Sequence, residues 1–294
     1  MTAVPSPDGV LCVGRLYCDL VFTGLPAMPH LGRETYAEGV SLHAGGGAVI
    51  TAAHLAQLGR SAYLAAYWPA PPFAERLRAD VEAVGIAAAL CRPSESNEPQ
   101  ITVAMNGDGD RAFLTRRVGA AVPRLHRGDL AGIGHLHIGE LATLIECPWL
   151  LDLARGAGVS ISVDCSWDDR TTADVGALIS AVDVFMPNEE EVAQLSHLGL
   201  TGLLAPLTVI KRGAAGASAV TEHASVDMPT VPVPVIDTTG AGDAFNSGFL
   251  DAWLSDLPLD RCLAAGNARG AVAVQQSGGF TCAPPEPQRA AALR

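Results

Sequence analysis

The sequence predicts an α/β fold with a central, mostly parallel sheet and helices on both faces. Short apolar segments of the strand type alternate along the chain with segments whose apolar residues recur at helical spacing. Some of these strands end in a carboxylate, as residues 159–163 do at Asp164, and open parallel sheets bind ligands at that end. With 294 residues, 49% of them hydrophobic, the chain suffices for one large domain or for a domain with a small one attached, and we predict a single domain spanning residues 1–294.

Charge and composition limit the partners that this chain can have. The formal net charge of −12 argues against nucleic acid or an anionic membrane. No uninterrupted apolar segment approaches the ~20 residues of a membrane span, and the start of the sequence lacks the pattern of a signal peptide. The seven cysteines are scattered without Cys-x-x-Cys spacing. We interpret them as reduced core residues and expect a cytoplasmic protein.

The most informative stretch is residues 237–245, Asp-Thr-Thr-Gly-Ala-Gly-Asp-Ala-Phe. It follows an apolar run at residues 231–236, which we predict to be a strand, and it opens a pattern of helical spacing. A helix N-terminus after a Gly-rich turn can hold an anion, because its first N–H groups lack partners and the helix dipole is positive there. Gly240 and Gly242 allow the backbone to approach a ligand closely. Asp243 would repel phosphate itself, so it is better placed as a base for an attacking hydroxyl.

An ordinary helix start and a dinucleotide site are the alternatives for this stretch. An Asp in a first helical turn is common simply because it complements the helix dipole. The dinucleotide-binding pattern Gly-x-Gly-x-x-Gly fails, because Phe245 occupies the third Gly position. The whole stretch resembles the C-terminal signature of the ribokinase/phosphofructokinase-B family of small-molecule kinases, with every fixed position present. This resemblance implies a ribokinase-like fold and ATP-dependent phosphorylation of a hydroxyl of a small sugar or sugar derivative. In it, Asp243 is the general base and Gly240, Ala241 and Gly242 form the anion hole.

Two segments, about 15–43 and 98–118, are predicted to form a small β-sheet. Strand-like runs at residues 100–105 and 111–116 are joined by the turn-rich residues 106–110. In the family this sheet is a lid over the substrate, and the resemblance also leads us to expect a homodimer formed through it. The family's first strand carries an Asp that binds substrate hydroxyls, which matches Asp19, although a turn or cap would also account for an Asp there. Tyr17 stands where ribokinases have an Asn.

The stretch His-Ala-Gly-Gly-Gly at residues 43–47 opens a predicted helix. It matches the family's N-terminal signature, in which Gly45 and Gly46 let the sugar approach the backbone. The family usually has a substrate-binding Asn five residues after the first Gly, and this sequence has Ile50. A buried hydroxyl without a partner costs about 1–3 kcal/mol, so we expect ribose to be a poor substrate unless another side chain supplies the bond.

Three more charged residues are candidates for substrate binding. Arg117 resembles the Arg of sugar-acid kinases that meets a carboxylate or phosphate, although a solvated lid residue would fit the pattern equally well. Glu140 and Asp164 each follow a strand-like segment, where open sheets place ligands. His135 and His137 alternate on the strand before Glu140, and without a supporting ligand cluster we interpret them as core or rim residues rather than metal ligands.

The nucleotide residues are expected from two further motifs. The Asn188-x-x-Glu191 spacing puts both side chains on one helix face, where an acidic first turn is also an ordinary cap. It matches the family motif that organises Mg²⁺ and the phosphates, largely through water. Residues 211–216 resemble the family's nucleotide loop, and residue 267 stands at the usual adenine contact. The nucleotide-binding candidates are therefore Asn188, Lys211, Gly213, Gly216 and Asn267.

The sequence also leaves additional cofactors and alternative functions open. Asp237 and Thr239 resemble positions that line a monovalent-cation site, so K⁺ joins ATP and Mg²⁺ among the expected cofactors. A nucleoside kinase of the same fold could stack its base against Tyr17 and Ile50. A non-catalytic sugar-sensing protein would be expected to lose Asp243 or a phosphate glycine, and all are present. In each case the expected partner is a small sugar or sugar-like molecule.

Overall fold

A computed structural model describes residues 8–96, 98–107, 110–166, 168 and 170–281. Two sheets and one short strand pair are present in this part of the chain. The strands are β1 (Gly9–Val13), β2 (Tyr17–Leu25), β3 (Gly39–Gly45), β4 (Ala62–Ala65), β5 (Tyr67–Trp68), β6 (Arg92–Pro93), β7 (Ile101–Gly107), β8 (Asp110–Arg116), β9 (Ile133–Ile138), β10 (Ser160–Asp164), β11 (Val184–Met186), β12 (Leu207–Lys211), β13 (Ala217–Val220) and β14 (Ser225–Met228). The helices are α1 (Gly47–Gln57), α2 (Phe73–Ala83), α3 (Leu141–Glu146), α4 (Trp149–Ala157), α5 (Val175–Ile179), α6 (Glu189–His197), α7 (Ala241–Trp253) and α8 (Leu259–Ala273).

The main sheet has eight strands in the order β14-β13-β12-β11-β10-β9-β1-β4. The six strands from β12 to β4 run parallel, and β13 and β14 continue the sheet antiparallel at one edge. Because the parallel strands point the same way, their carboxyl ends meet at one edge of the sheet. Polar residues lie at or just after several of these ends. Asp164 and Lys211 are the last residues of β10 and β12, and Arg15, Glu140 and Asn188 follow β1, β9 and β11.

Helices cover both faces of the main sheet, as predicted. Side chains alternate along each strand, so neighbouring residues of β1 join different cores. Leu11 and Val13 pack with residues of α3, α4, α5 and α6. Val10 and Cys12 pack with α1 and α2 on the other face, where α7 and α8 continue the layer over the β11–β13 side. This two-sided burial explains why the strands are apolar runs rather than alternating ones.

The predicted small sheet is present, with the strand order β3-β2-β7-β8. It is built from the two segments expected for the lid, and β2 pairs antiparallel with β3 and parallel with β7. Of the turn predicted between β7 and β8, residues 108 and 109 lie outside the described residues. Six cysteines in the described part of the chain are free and buried, whereas Cys282 lies outside it. No described helix is long and apolar enough to cross a membrane.

The prediction of a strand at residues 231–236 is wrong. The segment pairs with no strand in the described structure and instead runs along a large cavity, with Val231 and Val235 among the residues that line it. Pro232 and Pro234 alternate with the valines, and proline has no N–H to donate to a sheet ladder. The apolar character that suggested a strand therefore belongs to the wall of this cavity.

The packing of α7 against α8 gives a stability prediction. A Cβ at Gly248 in α7 would stand 2.5 Å from the carbonyl oxygen of Ala265 in α8. Gly248→Ala should therefore force the helices apart and lower the free energy of unfolding by about 1–3 kcal/mol, as overpacking does. The measurement is chemical denaturation of the variant beside the wild type.

A matched control lies in α4, where a Cβ at Gly156 would meet nothing within 4 Å. Gly156→Ala should raise the free energy of unfolding by about 0.5–1 kcal/mol, because Ala is the better helix former. Equal effects of the two substitutions would show that helix propensity, and not the α7–α8 contact, decides the result.

Candidate active site

The turn before α7 forms the predicted anion hole. Gly240 has φ of 72°, the left-handed conformation that favours glycine. A Cβ there would also stand 2.8 Å from Cα of Gly279. Among the described residues no backbone acceptor takes the N–H groups of Gly242 and Asp243, as expected at a helix start. The third expected donor differs, because the N–H of Ala241 already donates to the carbonyl of Thr238 at 3.2 Å.

Asp243 lies in the first turn of α7, next to the start of α1. A Cβ at Gly47 would stand 2.9 Å from its Oδ1, so only glycine leaves room for this carboxyl. Burial, followed by the nearby carboxylate of Asp164, raises the pKa of Asp243 to about 8, and Lys211 opposes the shift. A carboxyl with such a pKa is a competent general base at slightly alkaline pH.

Asp19 lies on the lid strand β2, with its carboxylate against Gly45. A Cβ at Gly45 would coincide with that carboxylate, at 1.9 Å from Oδ2. Burial raises the pKa of Asp19 to about 7, and Thr102 partly offsets the rise. Its Oδ1 is buried without a hydrogen-bond partner in the described part of the chain. Since Gly45 and Gly47 are two residues apart, Asp19 and Asp243 flank one glycine segment, and an acceptor oxygen of Asp19 remains for a ligand hydroxyl.

Arg117 connects the lid to the end of β9. Its Nε donates to the hydroxyl of Tyr17 at 3.1 Å, and its guanidinium lies 3.6 Å from Oε2 of Glu140 and pairs with Asp168. Burial raises the pKa of Glu140, and the charge of Arg117 opposes that shift. The three residues predicted on sequence grounds, Tyr17, Arg117 and Glu140, therefore form one group, joined by a hydrogen bond and an ion pair.

Arg15 belongs to the same group and was not predicted from the sequence. It is 4% exposed, although arginine is rarely buried. Its guanidinium donates to Gln100 at 2.7 Å and to Glu146 at 2.6 Å, and its Nε lies 4.0 Å from Glu140. Gly46 packs on its backbone, since a Cβ at Gly46 would stand 2.3 Å from the carbonyl of Arg15. The available signal in the sequence was its position two residues after the end of β1.

A cavity of about 690 Å³ opens on the other side of Asp243. It extends from the anion hole along the loop after β12 and the segment at residues 230–235 to α8. The predicted residues that it brings together are Asp164, Asn188, Glu191, Lys211, Gly213, Gly216, Gly240, Ala241, Gly242, Asp243 and Asn267. The candidate nucleotide residues therefore share one cavity that Asp243 also lines, whereas the candidates of the lid are not among its lining residues.

The Asn188-x-x-Glu191 motif caps α6. Asn188 Oδ1 accepts from the N–H of Glu191 at 2.9 Å, and Glu191 Oε2 accepts from the N–H of Asn188 at 2.7 Å. This reciprocal capping box is the ordinary role of the motif. Both residues also line the cavity, so the cap holds a carboxylate at its wall.

Asp164 lies among the residues predicted to bind nucleotide rather than beside Arg117 and Glu140. Its carboxylate pairs with Lys211 Nζ and accepts from the amide of Asn246, while Ser166 donates its N–H at 3.0 Å. Asn246 was missed from the sequence. It follows Asp243 by three residues on α7, so helical spacing alone places both side chains on one face.

The remaining nucleotide candidates shape the far part of the cavity. Gly213 and Gly216 have φ of 53° and 92°, and a Cβ at Gly216 would meet the carbonyl of Met228 at 2.1 Å. Asn267 donates to that same carbonyl at 3.0 Å and to the carbonyl of Pro229 at 3.3 Å. Asn267 thus ties α8 to the chain after β14, next to the cavity.

Ile50 supports the anion-hole turn. It is 4% exposed, and the positions of a Cβ at Gly240 and at Gly279 would lie 3.0 Å and 2.5 Å from its side-chain carbons. These contacts give Ile50 a packing role that the sequence did not reveal. Its predicted place in the substrate pocket stays a prediction.

Asp237 and Thr239, the candidate K⁺ residues, lie just before the anion hole. Asp237 accepts from the N–H groups of Thr239 and Gly278, each at 2.9 Å. The hydroxyl of Thr239 is buried without a hydrogen-bond partner within the described residues. A carboxylate and an unmatched hydroxyl oxygen are oxygen ligands of the kind that a hard cation takes.

The two histidines of β9 are buried and hydrogen-bonded, as expected for core residues. His135 contacts the hydroxyls of Ser160 and Ser162 at 2.8 and 2.7 Å, and His137 contacts Ser162 at 2.8 Å. Burial lowers the pKa of His135 to about 3 and that of His137 to about 4, so both stay neutral near pH 7. Within the described residues no group of three or more His, Cys, Asp or Glu side chains could hold a metal ion.

Comparison with known proteins identifies the family. The model of the pfkB family of carbohydrate kinases matches residues 8–286. The chain belongs to this family. It is 29% identical over 212 residues to an ATP-dependent ribose-1-phosphate kinase of Halopiger xanaduensis, a match that covers 68% of this chain and 70% of the relative.

Solved structures show the same fold. A nucleoside kinase of Methanocaldococcus jannaschii, described as an archaeal member of the ribokinase family, superposes with a TM-score of 0.79 at 19% identity, covering 94% of this chain and 95% of that one. A fructokinase of Xylella fastidiosa with bound ATP superposes with a TM-score of 0.78 at 21% identity, covering 95% of each chain. The predicted ribokinase-like fold and the prediction of a carbohydrate kinase are both confirmed.

The raised pKa of Asp243 predicts the pH dependence of activity. A general base works in its ionised form, so kcat/KM should rise with pH through the pKa of about 8 and then level off. For one group with this pKa, the rise from pH 7 to pH 9 is roughly tenfold. The measurement is initial rate at low substrate concentration across that range. A profile that is flat from pH 6 to pH 9 would contradict the assignment, and the residual rate of Asp243→Asn should lack the rise.

Proposed function

We propose that this protein transfers the γ-phosphoryl group of ATP to a hydroxyl of a small sugar or sugar derivative, with Asp243 as general base. One observation carries the proposal. Asp243 lies at the anion-hole turn between two half-sites, the large cavity on one side and the lid carboxylate Asp19 on the other. A base at the boundary between a donor site and an acceptor site is the arrangement that direct phosphoryl transfer requires.

The reaction balances with these groups. Asp243 accepts the proton of the substrate hydroxyl as its oxygen attacks the γ-phosphorus. The bond from that phosphorus to the oxygen bridging the β- and γ-phosphates breaks, and ADP leaves. The N–H groups of Gly242 and Asp243, which have no backbone acceptor in the described structure, bind the phosphoryl oxygens as charge develops.

The lid side favours a polyhydroxylated substrate over a sugar acid. Arg117 is already matched by Glu140 and Asp168, so its charge is shared between two carboxylates. Asp19 adds a third carboxylate with an unmatched buried oxygen. Carboxylates accept hydrogen bonds from hydroxyls and repel a carboxylate or phosphate substituent. Asp19 is accordingly proposed to bind substrate hydroxyls.

The cavity residues fit a magnesium nucleotide. Asp164, Glu191 and Asp243 supply carboxylate oxygens at its wall, and Mg²⁺ commonly keeps several waters when phosphates provide its other ligands. Mg²⁺ held through water by Glu191 and Asn188 would neutralise charge on the phosphates. Asp237 and Thr239 are proposed for K⁺, on the strength of the carboxylate and the unmatched hydroxyl beside the anion hole.

A phosphoryl-transfer screen with MgATP across ketoses, aldoses, sugar acids and nucleosides tests the proposal. Turnover should be highest with a neutral polyhydroxylated sugar, and Asp243→Asn should lower kcat for it by roughly 10²–10⁴-fold with little change in ATP binding. Preference for nucleosides would instead support the nucleoside-kinase alternative.

The control is Asp260→Asn, which changes an exposed Asp in the first turn of α8. It removes the same charge from the first turn of a helix at a residue that does not line the cavity, so kcat should be unchanged. If Asp243→Asn kept more than a tenth of the wild-type kcat, Asp243 would not be the general base, and its role would be limited to complementing the helix dipole.

We further propose a homodimer through the lid sheet. Most cross-strand neighbours on the lid face opposite Asp19 are apolar, and two of them, Val40 and Leu114, are 61% and 68% exposed. The apolar residues of this face include Leu20, Phe22, Val40, Leu42, Val103, Met105 and Leu114, and Arg116, opposite Ile101, lies at its end. An apolar surface that crosses all four strands is suited to a second copy of itself, because each copy then covers the other.

The double substitution Val40→Asp with Leu114→Asp should convert the dimer to a monomer, because burying carboxylates in an apolar interface is unfavourable. Sedimentation velocity measures the mass directly. Leu203→Asp is the control, since Leu203 is also exposed, at 43%, but lies outside the lid. A wild-type protein that sediments as a monomer at micromolar concentration would overturn this proposal.

A further inference from the structure

Charge balance in the cavity singles out one residue. Three carboxylates line it, those of Asp164, Glu191 and Asp243, but Lys211 is the only cationic side chain among its described lining residues. Lys211 is also the only lysine in the sequence. A nucleoside triphosphate adds further negative charge to this acidic site, and like charges in a partly buried cavity repel strongly. Among the described lining residues, the ammonium of Lys211 is therefore the side-chain counter-charge that the phosphates of such a ligand would meet.

The position of Lys211 assigns it to one end of the nucleotide. Its Nζ lies 3.4 Å from where a Cβ on Gly242 would stand, so the ammonium is beside the anion hole. Its backbone is fixed there, because β12 ends at Lys211 and its N–H donates to the carbonyl of Pro187 at 2.9 Å. The apolar part of the cavity, lined by Val231, Val235 and others, is the part suited to an adenine ring.

The ammonium of Lys211 is fixed by two hydrogen bonds, which leaves one of its three donors for a ligand. Asp164 and Asn246 Oδ1, the latter at 3.4 Å, take two of its three N–H donors. Asn246 also donates to Asp164, which closes a triangle of three side chains. Among the described residues, the third donor of Lys211 has no acceptor and can serve a ligand in the cavity. Burial lowers the pKa of Lys211, but the carboxylates of Asp164 and Glu191 raise it and prevail, so the group stays charged.

We propose that Lys211 is a catalytic residue that donates a hydrogen bond to the γ-phosphoryl oxygens of ATP during transfer, and that Asp164 and Asn246 position it. This inference rests on the proposed function. It gives Lys211 a role at the reacting group, beyond the general nucleotide contact expected from its loop. The amides of Gly242 and Asp243 and the ammonium then bind the same oxygens from two directions, which stabilises charge where it develops.

The test compares ATP with ADP, which differ by the γ-phosphoryl group. Isothermal titration with Mg²⁺ should show that Lys211→Met weakens ATP binding by about 10- to 100-fold while ADP binding changes by less than about threefold. Turnover of the best sugar substrate should fall by roughly 10²-fold or more. Arg212→Met is the control. It removes a neighbouring cation that does not line the cavity, and it should leave the ATP to ADP ratio unchanged.

A second variant separates catalysis from folding. Lys211→Met leaves Asp164 without its cation, so the double variant Asp164→Asn with Lys211→Met removes both charges, and thermal denaturation checks that it folds. If the double variant keeps the selective loss of ATP affinity and of turnover, the proposal stands. If it recovers wild-type turnover, or if ATP and ADP lose affinity equally, Lys211 has only a structural or general nucleotide role and the proposal is wrong.

The outcomes also distinguish this inference from the proposed function. Selective loss of ATP affinity in Lys211→Met, together with a wild type that phosphorylates no sugar in the screen, would keep Lys211 at the γ-phosphate and reject the acceptor assignment. If the protein phosphorylates a sugar and the Lys211 variants do not change that rate, the proposed function stands and the role of Lys211 at the γ-phosphate is rejected. A wild-type protein that binds neither nucleotide would overturn both.

Discussion

The rest of the site depends on the repulsion between two buried carboxyl groups, that of Asp243 at the start of α7 and that of Asp164. The N-terminus of α7 favours anions, and Asp243, Asp164 and Glu191 compete with a ligand for that positive potential. Lys211 is the cation that offsets them from within the cavity. Burial, followed by this surplus of negative charge, raises the pKa of Asp243 to about 8. The surplus of negative charge also favours a nucleotide that brings its own cation, as the proposed magnesium nucleotide would.

Glycine makes this crowding possible. Gly45 and Gly47 accommodate the carboxyl groups of Asp19 and Asp243, and a side chain at either position would overlap an oxygen. Gly139 packs on the same segment, since a Cβ there would stand 2.2 Å from the N of Ala48. The start of α1, the end of β9 and the start of α7 thus meet with backbone against backbone. A site assembled this way tolerates no side chain at those positions, whatever substrate it serves.

In the proposed reaction, the lid sheet contributes residues for the acceptor and the main sheet contributes residues for the donor. The lid brings Asp19 and Tyr17 to one side of Asp243, and Arg117 and Arg15 connect it to Glu140 at the end of β9. The sheet edge and α6–α8 build the cavity on the other side. Specificity for the acceptor can therefore change through lid residues while the donor side stays the same. The opposite face of the lid carries exposed apolar residues, so the proposed dimer and the proposed substrate site would use the two faces of one small sheet.

The sequence by itself determined the fold class, the family and the position of Asp243, because strand and helix periodicity and a contiguous nine-residue motif are local properties of the chain. Helical spacing could also have supplied Asn246. Local pattern misjudged residues 231–236, where alternating proline removes the donors that a strand needs. Only the tertiary structure decided that Asp164 belongs with Lys211 rather than with Arg117, that Ile50 packs under Gly240, and that Arg15 is buried among carboxylates. Those partners lie far apart along the chain, and side-chain direction across a sheet edge is set by packing, which no spacing rule encodes.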